Sequence, residues 1–168
     1  MRDVKVKKRV SKNLPQGNSV LSDEPVLHSI LRARGISSPE ELDLSIKGLL
    51  HPSQMIGLQR AAEVLQSSIL KRENILIAGD FDVDGATSTA LMLRVLKKFG
   101  VKNVDYLVPN RFIYGYGLSP EFVQFAAKTK KPGLIVTVDN GISSLEGVSV
   151  SRELDIKVLI TDHHLPGE

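Results

Sequence analysis

The chain contains no cysteine, which removes disulfides and thiolate metal sites together and leaves oxygen and imidazole groups as its ligands for any metal. That donor chemistry favours magnesium or manganese. No apolar run approaches the roughly 20 residues that a membrane span needs, and the opening stretch, Met1 to Lys12, is basic without the apolar core of a signal peptide. A cytoplasmic location with no membrane partner is therefore expected. Neither a Gly-x-Gly-x-x-Gly run nor a Walker loop is present, so dinucleotide and P-loop chemistry find no support. No segment repeats and none is low in complexity. Net charge is small as well, at +3, and much of the excess sits in Arg2, Lys5, Lys7, Lys8, Arg9 and Lys12. Such a tail reads as a solvated terminus, since a few lysines add only salt-sensitive, sequence-blind affinity for a phosphate backbone.

What is present is an ordinary globular composition, 42% hydrophobic and 24% charged over 168 residues, with enough apolar material for one sizeable core. The chain changes character near Asn74, where helix-like patterns give way to short β-branched runs separated by Gly, Pro and Asp. The expected organisation is a basic tail and helical region over 1–73 followed by an α/β domain over 74–168. Upstream, Glu24 to Arg34 reads as a helix closed by Gly35, and Ser38-Pro39-Glu40-Glu41 carries the cap, proline and acids of a helix start. A longer helix runs from about Gln54 to Arg72, with Leu58, Ala61, Ala62, Leu65 and Ile69 on one stripe. His28 and His51 lie in this region with no acidic cluster near them in sequence.

Downstream, Ile75 to Gly79, Val104 to Val108, Leu134 to Val138 and Val158 to Thr161 read as buried strands. Helical stretches separate them, among them Ala86 to Phe99 and Ser119 to Lys128, the latter with a Ser-Pro-Glu start. That alternation predicts a parallel sheet with crossover helices. The last strand is followed by only a few residues and no covering helix, so the α/β domain reads as incomplete and the chain as an amino-terminal portion.

Acidic residues cluster where strands end. Asp80, Asp82 and Asp84 follow the first strand at a spacing of two, which in extended chain points all three to one side. At about 7 Å and an effective dielectric near 20, each neighbouring pair repels by about 2 kcal/mol, so the cluster calls for cations or raised pKa values. A divalent metal is the simplest remedy. Gly85 allows a tight turn into a helix near Ala86, whose positive end favours both the acids and a phosphate. A single helix-capping aspartate would explain one of these residues but not three.

Asp139 ends another strand and leads into Asn140-Gly141, a turn dipeptide with exposed amides. A third strand ends in Asp162-His163-His164, where in extended chain adjacent histidines project to opposite sides, so at most one joins the acids directly. Open α/β sheets place their sites at such carboxyl ends, and six or more oxygen and nitrogen ligands converging there suffice for two ions. Between these motifs lies Pro109-Asn110-Arg111, then Gly115-Tyr116-Gly117. Arg111 could clamp a phosphate bidentately, or stand as a salt-bridged surface arginine, and the glycines would let backbone amides approach.

Two other readings of the acid run fail. Asp80 to Gly85 begins like an EF-hand loop, but the twelfth position is Leu91 rather than an acid and a strand precedes it. An apolar strand before Asp-x-Asp also fits haloacid-dehalogenase-like phosphatases, which leaves Asp139 and the histidine pair without a role.

Taken in order, Gly79-Asp80-Phe81-Asp82-Val83-Asp84-Gly85, Val138-Asp139-Asn140-Gly141 and Thr161-Asp162-His163-His164 resemble the successive signature motifs of the DHH phosphoesterases. Asn110-Arg111 with Gly115-Tyr116-Gly117-Leu118, and Leu49-Leu50-His51-Pro52 before a helix, resemble the branch of that superfamily whose members are exonucleases of single-stranded DNA. The likeness runs from about Pro25 to the last residue. It departs at Ile113 and Tyr114, where that branch usually carries acids.

The resemblance implies a hydrolase using two Mn2+ or Mg2+ ions held by Asp82, Asp84, Asp139 and His163, with Asp80 as a further ligand or a partner of one. By the same resemblance, Asp162 orients a histidine, His164 sits beside the scissile phosphate, and Arg111, Gly115, Asn140 and Gly141 contact the strand. It implies 5′ to 3′ degradation of single-stranded DNA in repair and recombination, with a helicase and a single-strand-binding protein as partners. A later aspartate, a DHHA1 substrate domain and an oligonucleotide-binding fold would lie beyond Glu168. The alternatives are a small-substrate enzyme of the same superfamily, such as a pyrophosphatase, oligoribonuclease or cyclic-dinucleotide phosphodiesterase, and a fragment that binds DNA without cutting it.

Overall fold

The structure, a computed structural model, describes residues 20–166; the basic tail lies outside the described residues. Contacts divide the chain after Met55 into two compact units. In the first, helix α1 (Pro25–Ala33) opens on proline and ends just before Gly35, whose φ of 88° lets the chain turn away. Arg32 of α1 is buried and donates from Nη1 to the Ser37 carbonyl at 3.1 Å. The helix start at Ser38 delivers only a single 3-10 turn, Pro39–Leu42. Asp43 stops it by taking up extended backbone and accepting the Ser45 N–H at 2.9 Å, a local bond that competes with helix continuation.

The second unit, residues 56–168, holds the sheet. Helix α2 (Leu58–Leu70) starts after Gly57 in the left-handed region, later than the pattern from Gln54 suggests, because Pro52–Gln54 forms its own 3-10 turn. The elements that follow are β1 (Ile75–Ala78), α3 (Val83–Lys98), β2 (Val104–Leu107), a one-turn α4 (Arg111–Tyr114), α5 (Pro120–Lys130), β3 (Leu134–Val138), α6 (Leu145–Glu153) and β4 (Lys157–Thr161). All four strands are parallel in the order β2-β1-β3-β4. The chain moves from β1 to one side and then crosses to the other. β1 and β3 therefore flank the point where strand order reverses, the crevice in which open α/β folds bind ligands.

Strand pleating sorts the core into two layers. Leu76, Ala78 and Ile135 face Phe122, Val123 and Ala126 of α5, with Val148 and Val150 of α6 alongside. Ile75, Ile77, Leu134, Val136 and Val138 face the other way, against Ala61, Val64, Leu65 and Ile69 of α2 and Met92, Leu93 and Leu96 of α3. The apolar stripe of α2 thus covers the sheet.

Of the four strands, β1 and β3 are buried along their whole length. The other two expected buried strands are edges: Asp105 and Tyr106 of β2 are exposed, and in β4 only Leu159 is fully buried. Asp105 finds a partner in Lys130, at 2.6 Å, rather than in the core. Among the described residues no helix is long and apolar enough to cross a membrane.

Candidate metal centre

The carboxyl ends of β1, β3 and β4 bring the acids and histidines together. Ligand atoms of Asp80, Asp82 and Asp139 lie within 4.8 Å of one another, and so do those of Asp139, His163 and His164. Asp139, shared by both groups, sits at the reversal point between β1 and β3.

The first acid run does not fan out from extended chain as its spacing suggests. Helix α3 begins at Val83, earlier than Ala86, because Asp82 caps it by accepting the Gly85 N–H at 3.0 Å. That bond holds the Asp82 carboxyl below its usual range. Gly85 is required there, since a side chain would strike the Asp80 backbone. Asp84 consequently belongs to the first helical turn and lies outside the 4.8 Å groups. It lines a separate groove of about 330 Å3 with Ser88, Asp139, Thr161, Asp162 and His163.

Asp80 is buried and already paired. Its Oδ2 accepts from Arg111 Nη2 at 2.5 Å, and its Oδ1 accepts from Arg111 Nε at 3.3 Å and from the Phe81 N–H at 2.8 Å. Arg111 is in turn stacked on two aromatic rings, 3.9 Å from the centre of Phe81 and 4.7 Å from that of Tyr116. Arg111 is therefore salt-bridged, but to a buried acid rather than on the surface. The sequence gives Phe81 and Tyr116 no visible part in the site, because their place depends on the pairing of Arg111 with Asp80, 31 positions apart.

Asp139 is the opposite case. His163 Nε2 approaches its Oδ1 to 2.8 Å, an ion pair only when the imidazole is protonated. Even so, the contact lacks hydrogen-bond alignment, and both carboxylate oxygens are buried without a donor. Burial pushes the Asp139 carboxyl up, and the Asp82 charge pushes it further in the same direction against the opposing pull of His163. Buried carboxylate oxygens with no donor, beside a second acid and an imidazole, fit a divalent cation with oxygen and nitrogen ligands.

The two histidines stay on one side rather than diverging, with ring centres 4.6 Å apart. The strand ends at Thr161 and the chain bends at His164, so the alternation of extended chain no longer applies. Asp162 organises the bend: its Oδ1 accepts the His163 and His164 N–H groups at 2.8 and 3.1 Å and meets His164 Nδ1 at 2.7 Å. Its Oδ2 accepts the Ile142 N–H at 2.9 Å. Burial alone would raise the Asp162 carboxyl, but these bonds outweigh it and hold it below its usual range, while Asp162 raises His164.

Beside the acids opens a cleft of about 810 Å3, lined by Asp80, Asp82, Arg111, Tyr116, Gly141, Ser144 and His164 among others. Gly141 belongs there; its φ of 112° and its closeness to Thr137 Oγ1 exclude a side chain. Gly115 and Asn140 do not line the cleft. The Asn140 side chain is buried and donates to the carbonyls of Ala78 at 3.1 Å and Val138 at 2.9 Å. Both donors of the amide are thus spent on bracing β1 to β3.

The profile of the DHH family, N-terminal domain, matches residues 74–168, more than half of the chain. The chain belongs to the DHH family. Among curated DHH relatives it is 48% identical over 157 residues to the single-stranded-DNA-specific exonuclease RecJ of Haemophilus influenzae, covering 94% of this chain and 27% of that protein. It is 50% identical to the Escherichia coli protein of that name over 86% of this chain and 25% of that one, and 37% identical to the Bacillus subtilis one over 85% and 18%. The chain thus spans about a quarter of the length of the first two relatives.

A crystal structure of exonuclease RecJ bound to manganese matches with a TM-score of 0.60 at 35% identity, over 67% of this chain and 28% of that one. The Thermus thermophilus RecJ in complex with Mn2+ matches with a TM-score of 0.60 at 30% identity, over 89% of this chain and 20% of that one. The parallel sheet and its helices are therefore those of a DHH domain.

Proposed function

We propose that this DHH domain is the metal-binding part of a nuclease that hydrolyses phosphodiester bonds in single-stranded DNA from the 5′ end. The observation that carries the reading is the buried Asp139 carboxylate, whose oxygens lack an aligned hydrogen-bond donor, grouped with Asp80 and Asp82 on one side and with His163 and His164 on the other. Relatives named as single-stranded-DNA exonucleases, and manganese in two similar structures, support it from outside the chain.

Asp82, Asp139 and His163 would hold Mn2+ or Mg2+, with Asp84 completing a two-ion site from its groove and Asp80 as a ligand or the partner of one. Such ions, when bound, lower the pKa of water and neutralise charge on the phosphate. The chain's own residues supply the rest. His164, fixed by Asp162 and raised in pKa by it, faces the cleft as a proton donor to the departing oxygen. Arg111 and the Gly141 backbone grip the strand. DNA repair and recombination in the cytoplasm, with a helicase and a single-strand-binding protein, form the setting this activity would suit.

The test is a single strand labelled at its 5′ end, given with and without manganese to this chain and to a chimera in which it replaces the matching segment of a RecJ exonuclease. Manganese-dependent release of labelled nucleotides by the chimera is expected. A chimera that binds the strand without cutting it would leave only a DNA-binding domain, and one that cleaves pyrophosphate but not DNA would favour a small-substrate enzyme.

A further inference from the structure

Asp80 stands out among the clustered acids because its charge is already answered. Three donors reach its two oxygens, two of them from one edge of the Arg111 guanidinium. The rings of Phe81 and Tyr116 both lie against that guanidinium. A guanidinium held along one edge by a carboxylate and packed against two rings keeps a fixed orientation, and the donors of Nη1 remain for a second anion. Among the described residues Nη1 makes no hydrogen bond or ion pair, and Arg111 lines the same cleft as Asp82 and His164. Phe81 and Tyr116 are half exposed or more in a chain with few aromatics, which gives nucleobases a surface for stacking next to a phosphate-binding cation.

From this geometry we infer that Asp80 is a positioning residue for Arg111 rather than a metal ligand, and that the Asp80–Arg111–Phe81–Tyr116 assembly is a preformed clamp for the phosphate and base of a single-stranded nucleic acid. The inference rests on the nuclease reading and deepens it. The acids then have separate roles, with Asp82 and Asp139 serving cations and Asp80 serving the arginine. The cleft also gains a preference for a nucleotide chain over inorganic pyrophosphate, which has phosphates to offer the arginine but no base to offer the rings.

Two titrations on the purified chain test it, manganese chloride by calorimetry and a fluorescein-labelled oligothymidylate by anisotropy in the presence of manganese. Asp80→Asn is expected to weaken oligonucleotide binding about tenfold, the loss of a charge-assisted contact, while leaving manganese affinity within about twofold of the parent. Arg111→Lys is expected to do the same, and the double variant to lose no more than either alone, because the two residues act as one unit. Asp82→Asn should instead weaken manganese binding.

Manganese binding that falls as far in Asp80→Asn as in Asp82→Asn would overturn the inference, as would losses that multiply in the double variant. Should Asp80→Asn not fold, Phe81→Leu on the exposed ring decides: it should weaken oligonucleotide binding and leave manganese untouched, and unchanged oligonucleotide binding sinks the clamp. A parent chain that takes up no manganese removes the nuclease reading itself, an outcome separate from any of these.

Discussion

The tips of β1 and β3 stand side by side in the sheet and carry acids of opposite circumstance. At the β1 tip, Asp80 is buried with a bidentate arginine, and Asp82 is occupied with capping α3. At the β3 tip, Asp139 is equally buried, and its oxygens have no aligned donor. Burial without compensation is costly for a carboxylate, so the contrast separates an acid whose charge is answered within the chain from one whose oxygens have no aligned donor. A site that charged all its acids alike would lose that division.

The largest effect expected from breaking the contrast is at the β3 tip. Asp139→Asn removes the uncompensated carboxylate and should lower manganese affinity by about a hundredfold or more, measured by calorimetry; it should also stabilise the metal-free fold, because a neutral amide tolerates burial better than a charge. Next comes the sheet that holds both tips. Ile77, fully buried in β1, should cost about 2 to 5 kcal/mol when replaced by alanine. Tyr106, half exposed on the edge strand paired with it, should cost far less in the same urea titration.

A third prediction concerns pH at the β4 tip. Asp162 is held low, so its contribution is lost as pH falls through its folded pKa; His164 is held high, so its contribution is lost as pH rises through its own. Their pairing is thus fully present between the ordinary values of 3.8 and 6.5. Asp162→Asn should move the His164 imidazole back toward the ordinary value, read by NMR titration of the ring. An unmoved titration would disprove the pairing.

The smallest effect belongs to Glu73 and Lys157, joined at 2.5 Å at the far end of the sheet with Ser68 against the same ammonium. Lys157 holds the Glu73 carboxyl low. Glu73→Gln should cost roughly 1 kcal/mol or less, since the pair is partly exposed and screened, and what it does contribute should disappear as pH falls through the folded pKa of Glu73.

Much of the fold is legible in the sequence because it depends on local rules. Leu134 to Val138 reads as a strand and is one, and the Ser119 cap announces α5 through its bond to the Phe122 N–H. Acids at the ends of predicted strands point to one edge of a parallel sheet because parallel strands share a direction. What escapes such a reading depends on long-range pairing or on where extension stops. Helix α6 carries glycine, serines and valines, a composition that propensity does not favour, and it is held against α5 and the sheet instead. The start of α3 at Val83 moves Asp84 away from its neighbours, and the bend at His164 turns two imidazoles to one side. Asn140 looks like turn chemistry, and its role between strands becomes visible only once Ala78, 62 positions earlier, lies beside it.

That single amide has a mechanical consequence. Its bond to Val138 fixes the amide on β3 and its bond to Ala78 reaches across to β1, so the two strand ends cannot slide past each other without losing the cross-strand bond, and the acids that follow them start from a fixed spacing. The starting points of Asp80 and Asp139 are thereby tied to the sheet itself rather than left to the loops that carry them.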